Sequence, residues 1–101
     1  MADKETIEVL KKVFESAEAN EWRIDTDATS DGEFEKMEPF TFEEMIACVD
    51  AVDIVTIRAS KAGAYMGAVA VSCCNDGIEQ IIDYTVDNAI AEILNAELAK
   101  Y

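Results

Sequence analysis

AGAYMGAVAVSCC, residues Ala62 to Cys74, runs for thirteen positions without a charge in a chain of which 30% is charged. Read in strand period, Tyr65, Gly67, Val69, Val71 and Cys73 share one face and Ala64, Met66, Ala68, Ala70, Ser72 and Cys74 the other. Both faces are apolar, whereas a half-exposed strand alternates with polar residues, so this strand is expected to have a neighbour on each side and cover on at least one face. Its alanine-rich face lacks bulk and is expected to let a helix or another backbone come close. A buried helix is the competing reading of any short apolar run. Gly63, Gly67, the β-branched Val69 and Val71, and the turn signal Asn75-Asp76-Gly77 decide for the strand.

The flanking segments build a sheet around it. Upstream, Ile54 to Ala59 reads as a strand joined to it through the tight turn Ser60-Lys61-Ala62-Gly63. Downstream, Ile78, Ile81, Ile82, Thr85, Val86, Ala89, Ile90 and Ile93 keep a helical spacing. A helix opening at Ile78 therefore competes with a strand over Ile78 to Tyr84. The β-branched pairs Ile81-Ile82 and Thr85-Val86 favour a strand, followed by a helix from Val86 to Lys100 with Thr85 as its cap.

Two further helices are signalled more directly. Thr41 and Glu44 form a capping box, with Phe40 and Met45 placed for a hydrophobic staple. That helix is expected to reach Ala51 with Ile46, Val49 and Val52 inward. At the amino-terminal end, Asp3 is placed to cap a helix running to Asn20, with Ile7, Leu10, Phe14 and Ala17 on its apolar face, broadened by Val9 and Val13. Between these helices, EWRIDTDA and EFEKME read as a hairpin around Thr29-Ser30-Asp31-Gly32. Trp22, Ile24 and Thr26 lie on one strand face, and Phe34 is the inward anchor of the return strand. The expected fold class is α+β: one small domain over residues 1–101, a mostly antiparallel sheet of a hairpin plus three strands, and three helices on one face.

Composition narrows function mainly by exclusion. The chain contains no histidine, which removes Ser-His-Asp and Cys-His nucleophile systems and most zinc sites. Cys48, Cys73 and Cys74 are an odd number without a Cys-x-x-Cys spacing, and they read as reduced core residues. Carboxylate pairs such as Asp50 and Asp53 are the residual acid–base candidates, and the chain is read as non-enzymatic and without a cofactor. No run of about 18 apolar residues and no basic-then-apolar leader is present, so the expected location is cytoplasmic.

The net charge is −14, with 22 acids against 8 bases. A small domain needs a magnitude of roughly 2 to 8 for solubility. Such a surface repels nucleic acid and anionic membranes and attracts basic proteins. The acids concentrate between residues 21 and 44, where Glu21, Asp25, Asp27, Asp31, Glu33, Glu35, Glu38, Glu43 and Glu44 face only Arg23 and Lys36. Same-face strand neighbours such as Asp25 and Asp27 stand about 6.6 Å apart and repel one another unless a partner compensates. These acids are therefore the expected partner-binding residues. The chain is read as an acidic inhibitor that binds a basic, nucleic-acid-handling protein by imitating DNA phosphates, of the kind that phages and other mobile elements make against host defences.

Two other readings compete. Asp27, Thr29, Asp31, Glu33 and Glu38 fall at the ligand positions of an EF-hand-like calcium loop, D-x-T-x-D-G-E-F-E-x-x-E, making a calcium-responsive module the first alternative. Threonine at the third position and Pro39 directly after the loop depart from that pattern. The second alternative is a structural or oligomerisation domain whose acids only solvate it, with an exposed edge strand available to pair two copies.

Overall fold

The uncharged stretch forms β4, Ala64–Ser72, paired with β3, Ile54–Lys61, on one side and β5, Ile81–Tyr84, on the other. The structure is a computed structural model that describes residues 1–28, 35–37, 41–51 and 53–101. The remaining elements are helix α1 (Lys4–Asn20), β1 (Arg23–Ala28), β2 (Glu35–Met37), helix α2 (Phe42–Ala51), a 3-10 turn at Gly77–Gln80 and helix α3 (Ala89–Leu98). The five strands form one antiparallel sheet in the order β2-β1-β3-β4-β5. The expected α+β architecture of a hairpin, three further strands and three helices is the observed one.

One face of the sheet carries the core. The register aligns Ile24 with Ala59, Thr26 with Ile57, Ile57 with Val69, and Val55 with Val71. All seven side chains are buried. Val9, Leu10 and Val13 of α1, Met45 and Val49 of α2, and Ile90 and Leu94 of α3 close over them. Each large aliphatic chain removed from water here stabilises the fold by about 1.5–3 kcal/mol, which is what holds three short helices on a sheet. On α1 the buried stripe is Thr6, Val9, Leu10, Val13, Phe14 and Ala17, while Ile7 sits half-buried at its margin.

The amino-terminal residues tie this layer together. The Ala2 amide donates to Asp50 Oδ1 at 2.6 Å, the Asp3 amide donates to Gln80 Oε1 at 2.8 Å, and Gln80 Nε2 donates to the Met1 carbonyl at 3.0 Å. Asp3 does precede the first turn of α1, but its carboxylate makes no capping bond and accepts instead from the Gly77 amide at 2.6 Å. The capping box of α2 forms as expected: the Glu44 amide donates to Thr41 Oγ1 at 3.1 Å. Its proposed staple residue Phe40, the inward Val52 and the hairpin anchor Phe34 lie outside the described residues.

Four local expectations are corrected. The turn between β3 and β4 is Ala62-Gly63 alone, both at positive φ (49° and 82°), and β3 runs to Lys61. Tyr65 does not share a face with Val69. β4 has an irregularity in which Ala59 pairs with Gly67 and Ser60 with Tyr65, so Met66 is an extra residue and the alternation reverses across it. Tyr65 is accordingly 57% exposed while Met66 packs on the core.

The close approach of a helix occurs at Gly67, on the valine face, rather than on the alanine face. A Cβ there would lie 2.5 Å from Asn88 Oδ1 and 2.6 Å from Ile90 Cβ. Finally, α3 is capped by Asn88, whose Oδ1 accepts from the Ala91 amide at 3.0 Å. Thr85 is unavailable because it extends the sheet: its amide donates to the Ala68 carbonyl at 3.0 Å and its hydroxyl accepts from the Ala68 amide. The helical spacing that began at Ile78 is incidental, since Ile82 and Val86 are exposed and Ile81 to Tyr84 is strand.

Candidate functional site

Among the described residues, the acids singled out between residues 21 and 44 divide between the two sides of the sheet. Alternation along β1 turns Ile24 and Thr26 to the helices and sends Asp25 and Asp27 to the opposite face of the sheet. There Arg58 of β3 stands directly across from Asp25 and pairs diagonally with Asp27. Asp27 is 1% exposed, so its carboxylate serves this internal ion pair rather than the surface. Asp25 is half-buried, with Arg23 Nε 3.6 Å from its Oδ1. In β2, Glu35 is opposite Ala28 in the register. Asp31, Glu33 and Glu38 lie outside the described residues, as does Thr29.

The calcium reading meets two obstacles here. The segment before the loop is strand β1, not a helix, and its first ligand, Asp27, is held by Arg58. Among the described residues no group of three or more His, Cys, Asp or Glu side chains is arranged to hold a metal ion. Of the acid–base candidates, Asp50 accepts from the Ala2 amide at 2.6 Å.

Glu21, Glu43 and Glu44 lie on the helical side of the molecule and are all exposed. Glu21 ends α1 in the left-handed conformation (φ 59°), its amide bonding back to the carbonyls of Ala17 and Glu18. Glu43 and Glu44 occupy the first turn of α2, where the positive end of the helix dipole favours them. Between the two helices Glu43 meets Glu15 and Glu18 of α1 around a hollow of about 330 Å³, with Phe14 and Phe42 in its wall. The two rings stand 5.9 Å apart at 54° and fix the spacing of the helices there. Lys11 is the cation among the described residues that line this hollow.

Glu15 and Glu18 were not among the residues expected to act. Their signal was present in the sequence: acids in the closing turns of a helix with no basic residue in its last turn, opposed to the negative end of the dipole. The surrounding field is visible at Tyr101. Its hydroxyl donates to Glu8 Oε2 at 2.7 Å, and this bond, with Glu5 and Glu97 nearby, pushes its pKa up to about 12.

No helix among the described residues is long and apolar enough to cross a membrane. Comparison of the chain with protein-family models, curated proteins and solved structures gives no match.

Proposed function

We propose that this chain is a non-enzymatic interaction protein that captures a basic, nucleic-acid-handling protein and blocks it by offering carboxylates in place of phosphates. The observation that carries this reading is the exposed group of Glu15, Glu18 and Glu43, gathered around one hollow between α1 and α2, with the exposed Glu21 and Glu44 following Glu18 and Glu43 in the chain. Acids at the end of α1 cost stability against the helix dipole, and mutual repulsion adds to that cost. A cationic groove that normally receives the dense charge of a nucleic acid strand would relieve both. The Asp25 and Asp27 side of the sheet contributes less, because arginines already neutralise it.

The test is capture from a nuclease-treated lysate with elution by rising salt, in calcium or in chelator, each fraction being identified by mass spectrometry. A basic DNA- or RNA-processing protein is expected to elute sharply with salt in both conditions, and to be lost when Glu18 and Glu43 are both changed to lysine. Capture that requires calcium, or no specific capture at all, would remove the reading.

A further inference from the structure

Phe42 and Glu43 also line a second hollow, of about 380 Å³, with Ile7, Ile46, Ala47 and Asp50. Ile7 opens α1 and Asp50 is near the end of α2, whereas at the other hollow Glu18 near the end of α1 meets Thr41 and Phe42 at the start of α2. The two helices therefore run antiparallel, and the hollows adjoin at Phe42 and Glu43, which line both, so that together they make one groove along α1. From Ile7 to Glu18 the groove follows α1 for about 16 Å, the length of three helical turns. Its floor is apolar, since Ile7, Phe42 and Ile46 are only half-buried and Ala47 is exposed. Its rim is acidic: Glu15, Glu18, Glu43 and Asp50 stand against Lys11.

We propose that this groove is a docking site for a basic amphipathic α-helix of the partner protein. The inference rests on the reading of a basic partner and adds where and in what form that partner is held. A three-turn helix would present apolar side chains at i, i+3 or i+4, and i+7 to Ile7, Phe42 and Ile46, while lysines or arginines along its flanks meet the acidic rim. The two features divide the work. Exposed ion pairs contribute at most about 1 kcal/mol each and set encounter rate and orientation, so affinity must come from the apolar floor. Acids concentrate at the Glu15, Glu18 and Glu43 end, with Asp50 at the other, so the docked helix carries most of its charge toward that end.

The test uses the full chain and two synthetic 18-residue peptides of identical leucine and lysine content. In one, leucine recurs at i, i+3, i+4 and i+7; in the other the order is scrambled. The amphipathic peptide is expected to bind at least tenfold more tightly by fluorescence anisotropy, and to shift the amide resonances of Ile7, Phe42, Ile46 and Ala47. Ala47→Arg, at an exposed helical position, should weaken it at least tenfold with the circular dichroism unchanged; Glu43→Lys is the second variant and should weaken it several-fold, most at low salt. Equal binding of the two peptides overturns the groove while leaving salt-dependent capture by the acidic surface standing. Binding of neither peptide also overturns the groove, and the salt-gradient capture then decides the wider reading independently. Self-association of the chain that Ala47→Arg abolishes would assign the groove to a second copy and overturn the proposal.

Discussion

At Gly67 the start of α3 comes close against the sheet, and the missing side chain is what allows it. The backbone there is at φ 121°, and an added Cβ would be 2.5 Å from Asn88 Oδ1, 2.6 Å from Ile90 Cβ and 2.7 Å from Thr85 Oγ1. Neither Asn88 nor Thr85 is free to yield: Asn88 caps α3 and donates from Nδ2 to Thr85 Oγ1 at 2.8 Å, which in turn holds the Ala68 amide. Gly67→Ala therefore combines a disfavoured backbone with an overpacked contact, and is expected to lower stability by about 2–4 kcal/mol in urea unfolding. A loss below about 1 kcal/mol would mean that α3 can ride up at no cost. The glycine was conspicuous in the sequence. Its role was not, because the residues it accommodates lie eighteen and more positions later, and only folding brings Asn88 onto it.

At the scale of elements, the legible features were those whose cause is local. The capping box of α2 and the apolar stripe of α1 each depend on residues within a few positions of one another. The reversal of alternation at Met66 depends on how β3 meets β4, so strand period alone carried Tyr65 to the wrong face. Likewise, Thr85 read as a helix cap because its commitment to Ala68 is a tertiary fact.

The final turns of α1 also show a tension between stability and binding. Glu18 sits near the negative end of the helix and lines the groove. Glu18→Lys is expected to raise stability by about 0.5–1 kcal/mol at low salt, while weakening the amphipathic peptide in the same titration series. A variant that is stabilised and still binds fully would show that this carboxylate has no part in recognition.

For the whole molecule, electrostatic repulsion is the main force set against packing. The molecule measures 32 × 30 × 23 Å and carries a net charge of −14. In about 10 mM salt the screening length of about 30 Å lets every carboxylate act on every other, whereas at 150 mM it falls to about 8 Å and only neighbours interact. The melting temperature is therefore expected to rise by roughly 5 °C between these conditions. An unchanged melting temperature would show that the acids are already balanced within the fold.

The charge was readable from composition; its distribution was not. Sequence alone grouped Asp25 and Asp27 with Glu43 and Glu44 as partner-binding acids, yet the fold places them on different sides of the sheet and Arg58 claims Asp27. The groove escaped notice because its walls, Ile7 with Ile46 and Glu18 with Phe42, come from segments that meet only when α1 and α2 lie antiparallel.

The bonds from Asp3 to Gly77 and Gln80 span 74 and 77 residues. A ribosome adds about 5–20 residues per second, so α1 must wait several seconds before the side chain that fixes its start has been made. Over that interval its stripe of Val9, Leu10 and Val13 gains the strands one by one and still lacks α3, open meanwhile to chaperones or to neighbouring chains. Contacts of such long range also slow the search for the native state. The start of α1 is thus secured only after β1 to β4 have been made.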